Sequence, residues 1–256
     1  MISRLASFKR KTRRAPKKKT TRLLALSPQD TVYQQLDKHF RESWIHPGKP
    51  KPQVHAIFEI VLTEESLMSY LRYRALVELS HVARHANEQL LFHGTARSCL
   101  LGDQRAKAQL CELDACLLCS VLRDSFDTSQ CGKRHKFRRF GSGIYTTSCS
   151  SKADDYFTGV AESPFRVLLV NRVVVGNALM RHYNAVDLVE PPSGYHSIVG
   201  EPGGDLNYAE TVVYTNDAIR PAYLMVYAAA DYHQEVAVAD LSSILSTLFN
   251  TPVIAR

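Results

Sequence analysis

The sequence predicts an α+β fold with antiparallel strand pairing, and three observations carry that expectation. Segments of helical spacing and segments rich in β-branched and aromatic residues are grouped along the chain instead of alternating strictly, which argues against a doubly wound sheet. The stretch Phe165–Val175 is apolar at eight of its eleven positions, as suits a buried strand. Two short Val- and Tyr-rich segments, Ala209–Tyr214 and Ala222–Tyr227, flank a turn containing Asn216, Asp217 and Pro221.

The elements follow in chain order. Residues 1–22 carry ten Lys and Arg and no acid. Charges of one sign and few apolar side chains leave nothing to bury, so a disordered basic tail is expected. Its clusters Lys9-Arg10-Lys11 and Lys17-Lys18-Lys19 suit nuclear import or loose phosphate binding, and the acid-free start also suits a mitochondrial transit segment. Residues 23–53 read as a helix and a Pro-rich connector. Val32, Leu36, Phe40 and Trp44 fall on one helical face over Thr31–Trp44, and Pro47, Pro50 and Pro52 then break the helix. Val54–Leu62 reads as a strand. Glu64–Gln89 reads as a long helix with Leu67, Tyr70, Leu71, Tyr73, Leu76 and Leu79 as its apolar positions. Leu90–Thr95 reads as a short strand ending at Gly94. A domain spanning 54–256 is expected, with a Cys-rich insertion at about 99–131.

Composition narrows the function classes. The 256 residues are 45% hydrophobic and 22% charged, ordinary for a globular chain of one sizeable domain or two small ones. No run of 18 apolar residues occurs, so no membrane span is expected, and the start shows no secretory apolar stretch. The net charge of +7 belongs to the tail: beyond residue 22, 22 Lys and Arg face 25 acids, a net −3. The body is therefore not a basic nucleic-acid surface overall.

Four blocks carry chemistry: Leu91-Phe92-His93-Gly94-Thr95, Phe140-Gly141-Ser142-Gly143-Ile144-Tyr145, Ser151-Lys152-Ala153-Asp154-Asp155-Tyr156, and Asn207-Tyr208-Ala209-Glu210-Thr211-Val212-Val213-Tyr214. Their order and spacing resemble the catalytic domain of the poly(ADP-ribose) polymerase family, the diphtheria-toxin-like ADP-ribosyltransferases. Gly194–Gly200 and the turn Asp217–Pro221 also look like that family, and the resemblance covers roughly Val54 to Tyr227. It implies two packed antiparallel sheets split around an NAD⁺ cleft. It also implies an enzyme that binds NAD⁺ as co-substrate and transfers ADP-ribose to a protein acceptor, releasing nicotinamide.

By this resemblance, His93, Tyr145 and Glu210 form the catalytic core. His93 would hydrogen-bond a ribose hydroxyl on the adenosine or the nicotinamide side. Gly94, lacking a Cβ, would let the carboxamide approach its backbone, with Thr95 beside it. Tyr145 and Tyr156 would stack on the nicotinamide. Glu210 would hold the nicotinamide ribose 2′-hydroxyl and stabilise positive charge as it develops on the sugar. The family often places a Ser where this chain has Ala153. The lost hydrogen bond weakens binding by about 0.5–1.5 kcal/mol unless Ser151 or a water replaces it. The resemblance implies that Glu210 would be necessary but not sufficient for chain growth, so single-unit and polymeric products both remain open. Alternatives are a non-catalytic NAD⁺ or ADP-ribose binding module, ADP-ribosylation of nucleic acid held by the basic tail, and NAD⁺ hydrolysis. The expected locations are nucleus or cytoplasm, with the mitochondrion as the other option.

All six cysteines fall between 99 and 149. Cys111, Cys116 and Cys119 have spacing suited to a structural zinc knuckle, with Cys99, Cys131 or His135 as the fourth ligand and Cys99 favoured for its place just beyond the His93 strand. Thiols packed as small apolar groups are the alternative. A nucleophilic Cys149 is disfavoured because its neighbourhood already reads as part of the NAD⁺ site.

Overall fold

Two strands with apolar side chains on both faces form the centre of the protein. In the computed structural model, which describes residues 20–80, 85–133 and 137–228, nine strands and four helices are defined. They are β1 (Arg22–Ala25), α1 (Thr31–Glu42), β2 (Gln53–Val61), α2 (Glu64–Leu79), β3 (Glu88–His93), α3 (Leu117–Asp124), β4 (Ile144–Thr146), α4 (Ser150–Asp154), β5 (Arg166–Val174), β6 (Ala178–Arg181), β7 (Ser197–Gly200), β8 (Glu210–Val213) and β9 (Ile219–Ala228). The architecture is α+β. The first sheet has order β1-β2-β9-β5-β3 and is antiparallel throughout. The second has order β4-β8-β7-β6. The stretch 1–19, which holds most of the expected tail, lies outside the described residues. No helix among the described residues is long and apolar enough to cross a membrane.

The pleat of β5 and β9 explains their apolar stretches Val167–Val170 and Leu224–Val226. Val167, Leu169, Leu224 and Val226 point to one face, with α3 and residues of the second sheet. Leu168, Val170, Met225 and Tyr227 point to the other, against α1. Helix α1 lays Tyr33, Leu36 and Phe40 on that face, and Trp44 follows its end. The Phe40 ring is 5.0 Å from Tyr227 and 5.5 Å from Trp44.

Several expectations are corrected. The second helix stops at Leu79 instead of reaching Gln89. Ser80 turns extended and its hydroxyl caps the Val77 carbonyl, while Glu88 and Gln89 already pair with β5. Of the expected apolar positions, Tyr70 is buried as expected, whereas Leu67, Leu71, Leu76 and Leu79 are exposed and Val77 is buried in addition. Pro221 is not in the turn: β9 begins at Ile219 and includes it. It is tolerated because pairing with β2 starts only at Tyr223, and the register with β5 shifts beside it. The second sheet is mixed, since β6 and β7 run parallel across the long connection 182–196. Finally, the segment 23–53 is more than a connector, because β1 extends the first sheet and α1 covers one face.

This packing sets a stability contrast. Phe40→Ala should cost about 3–5 kcal/mol, whereas Leu79→Ala, at a position 78% exposed, should stay within about 0.5 kcal/mol. Urea unfolding of both variants measures the difference.

Candidate active site and cysteine cluster

The two sheets meet edge to edge at one place. Phe92 in β3 and Thr147 just after β4 exchange backbone hydrogen bonds, of 2.8 Å and 3.0 Å. The next residue along β3 is His93, and Tyr145 lies in β4. A cleft of about 820 Å³ opens beside this junction, lined by His93, Gly94, Thr95, Tyr145, Tyr156 and Glu210 among others. The structure thus gathers residues 117 positions apart in sequence around one cavity of ligand size.

His93 Nδ1 lies 2.8 Å from the Tyr145 carbonyl. A carbonyl only accepts, so Nδ1 carries the proton and Nε2 is left as an acceptor. Burial pushes the His93 pKa down, although the bond to Tyr145 opposes this. Phe126 meets the ring edge-on at 5.1 Å. The imidazole is therefore a neutral, oriented acceptor suited to a hydroxyl.

The Tyr145 hydroxyl is fully used. It donates to the Gly141 carbonyl and accepts from the Phe140 N–H, both at 2.9 Å. Only its ring is offered to the cleft. Gly141 is required at this turn: its φ is +69°, and a Cβ would fall 1.8 Å from the Leu188 carbonyl oxygen.

Glu210 opens β8 and is 5% exposed. Its Oε1 lies 2.7 Å from Lys152 Nζ, which also donates to the Tyr208 carbonyl. Burial lowers the Lys152 pKa and the Glu210 charge opposes that shift. The other carboxylate oxygen, Oε2, is buried and has no partner among the described residues. An orphaned carboxylate oxygen at a cavity wall is costly unless a ligand donates to it. Sequence alone does not single out Lys152. It stands in a quoted block, but nothing in spacing shows a contact across 58 residues.

Two sequence readings change. Gly94 is needed because helix α4 crosses it: a Cβ would lie 1.9 Å from the Ala153 carbonyl oxygen and 3.0 Å from Tyr156 Cβ. Close approach of protein backbone already accounts for this glycine. Ser151 is not a cleft residue. It is fully buried, and its hydroxyl accepts from the Ile45 and His46 N–H groups at 3.0 Å and 3.1 Å. The helical turn places it on the side of α4 away from the cleft, so it does not replace the hydroxyl missing at Ala153, which does line the cavity. Thr95 is 5% exposed on the cavity wall, and Tyr156 is 40% exposed.

Cys99, Cys111, Cys116 and Cys119 come together, with all four Sγ atoms within 4.8 Å of one another. Cys99 Sγ is 3.7 Å from both Cys116 and Cys119. Hydrogen bonding from Cys119, above all, draws the Cys99 thiol down to about 5. This cluster can hold a metal ion. Cys131 lies apart, with its sulfur near the Gly141 carbonyl, and His135 lies outside the described residues. Helix α3 begins immediately after Cys116, and its Leu117, Ser120, Val121 and Asp124 line the cleft. The cluster therefore fixes one wall of the site. No protein-family model matches the chain.

The His93 shift has a pH consequence. Its folded pKa lies below the ordinary value near 6.5, so its contribution to stability is intact above that pH and erodes as pH falls below it. Denaturant unfolding at pH 7.5 and 5.5 should show a smaller loss in His93→Gln than in the wild type.

Proposed function

We propose that the chain is an ADP-ribosyltransferase that binds NAD⁺ in the large cleft and transfers its ADP-ribose unit to an acceptor. The reading assigns the protein to the ADP-ribosyltransferase fold, with its two sheets split around the cleft. The observation that supports it best is the buried Glu210 carboxylate, whose Oε2 has no partner among the described residues, on the wall of the same cavity as a neutral, oriented His93 and Tyr145. In this reading the His93 Nε2 accepts from a ribose hydroxyl and fixes the sugar. Glu210 Oε2 accepts from the 2′-hydroxyl of the nicotinamide ribose. Lys152 holds the carboxylate in one orientation by occupying Oε1. As nicotinamide leaves, positive charge grows on the ribose, and the fixed carboxylate stabilises it without reorganisation. The rings of Tyr145 and Tyr156 provide flat surfaces for the nicotinamide, and Ala153 leaves its carboxamide with one donor fewer.

Incubation with labelled NAD⁺ should release nicotinamide, and Glu210→Ala should reduce the rate by about a hundredfold or more. Equal rates for the two proteins would end this assignment. Calorimetric binding of NAD⁺ with no nicotinamide release would favour a binding module instead.

The cysteine cluster suits zinc under the same proposal. Four thiolates are a common structural zinc set, and a tetrahedral site with Zn–S near 2.3 Å sets sulfur separations of about 3.8 Å, close to the 3.7 Å separations observed. Four protein ligands leave no open position, so the metal's role would be to hold the α3 wall. Native mass spectrometry should find one zinc per chain, lost in a Cys116→Ser, Cys119→Ser double variant. Unchanged metal content in that variant would overturn the assignment.

A further inference from the structure

A second, smaller cavity of about 180 Å³ adjoins the cleft, and Glu210 and Lys152 line both. His46 and Tyr208 stand on the wall of the smaller one. His46 comes from the segment between α1 and β2, and none of the four blocks that carry chemistry contains it.

This segment is clamped on both sides of His46. Ahead of it, Trp44 packs edge-on to Phe40 and Tyr227 in the core of the first sheet, at 5.5 Å and 5.8 Å. Beyond it, Lys49 donates to the Ser151 carbonyl and pairs with Asp154, both at 3.0 Å. Pro47, next in the chain, has a fixed φ.

Ser151 sets the state of the imidazole. A hydroxyl has two lone pairs and one proton. The Ile45 and His46 N–H groups occupy both lone pairs of Ser151 Oγ. The proton is left to donate, and His46 Nδ1 lies 2.7 Å away; the Cys149 sulfur, at 3.2 Å, is the weaker acceptor. The neutral ring therefore carries its own proton on Nε2, which lies 3.5 Å from Asp155 Oδ2. Burial holds the His46 pKa below its ordinary value, although Asp155 opposes this. Both ring nitrogens are thus engaged, and the face of the ring is the part left to act.

That face lies on Tyr208. The two rings stack with centres 3.8 Å apart and planes 19° from parallel. Tyr208 belongs to the loop 201–209, which joins β7 to β8. Its carbonyl accepts from Lys152 Nζ at 3.1 Å, and the same Nζ holds Glu210 Oε1 at 2.7 Å. Glu210 is the first residue of β8, so its backbone also depends on how this loop ends. One chain of contacts runs from Ser151 through His46 and Tyr208 to Lys152 and Glu210.

We propose that His46 is a positioning residue for the transfer: its ring face holds Tyr208, and through Tyr208 it fixes the Lys152–Glu210 pair beside the cleft. The assignment rests on the transferase reading. It brings into the site a residue from outside the domain that the sequence delimits at 54–256. His46 lines the small cavity and not the large one, so it acts on the rate of the step and not on NAD⁺ binding.

The test follows nicotinamide release from NAD⁺ by the full chain, with kcat and KM measured separately. His46→Ala removes the ring and both of its hydrogen bonds. His46→Asn keeps an acceptor near the Nδ1 position and removes the ring. His46→Phe keeps a flat ring and removes the hydrogen bonds. The Ala and Asn variants should lower kcat by about tenfold or more with KM for NAD⁺ held within about twofold, and the Phe variant should recover most of the rate. Tyr208→Leu, which leaves the carbonyl to Lys152 in place, should lower kcat to a similar extent, and adding His46→Asn to it should lower it no further. Urea unfolding of each variant separates a loss of rate from a loss of fold, and the Asn–Phe comparison decides the matter if the Ala variant does not fold. Recovery by Asn and not by Phe, a rise in KM at constant kcat, or an unchanged kcat throughout would overturn the proposal and leave the transferase reading standing. No release by the wild type would remove both.

Discussion

The pair of backbone hydrogen bonds between Phe92 and Thr147 is the constraint on which the site depends. Together with the His93 hydrogen bond to the Tyr145 carbonyl beside it, this pair fixes the relation of the two sheets at the edge where the cleft opens. Its position is set from the core outward. The Phe92 side chain is fully buried and packs edge-on to Phe40 at 6.2 Å and stacks with His39 at 5.0 Å. Helix α1 thereby positions β3 from the far face of the first sheet. The Ser150 hydroxyl donates to the Phe40 carbonyl at 2.8 Å, which ties α4 to the same helix. The residues around the cleft inherit their placement from an aromatic cluster that lies largely outside it.

Helix α4 is short, and five residues of helix have little stability of their own. A buried ionic network compensates. Asp154 accepts from Tyr227 and Arg166 and pairs with Lys49 at 3.0 Å. Burial alone would raise its pKa, but those partners outweigh it and hold the carboxyl below its ordinary value. Removing one partner would strand the charge, so the network acts as a set. It immobilises the turn just after Lys152 and Ala153, which gives Lys152 a fixed base from which to reach Glu210.

Much of this is legible in the sequence, for identifiable reasons. Strands buried on both faces print stretches rich in apolar residues, so Phe165–Val175, apolar at eight of its eleven positions, is readable as one. Cys99 is assigned by its place just beyond a strand end, and the four sulfurs do converge. Pattern misleads where it disagrees with tertiary context. Leu67, Tyr70, Leu71, Leu76 and Leu79 all have helical spacing, yet of these the helix buries only Tyr70, together with Val77. Ser151 takes its expected role from its neighbours in a block, but the helical turn aims it at the chain around His46. Lys152 with Glu210, and the second cavity beside them, depend on contacts between distant segments that no spacing rule encodes.

The order of the first sheet has a consequence for the basic residues at the start of the chain. Arg22 begins β1, at one edge of that sheet, and the cleft lies beyond β3 at the other. Four strand-to-strand steps separate these edges, about 19 Å at the usual spacing. The chain that precedes Arg22 is thus joined to the body at the edge opposite the cleft. A polyanion held by those cations would be leashed near the protein, raising its effective concentration without setting which of its groups enters the cavity. Capture and selection would then belong to opposite edges of one sheet, and each could change without disturbing the other.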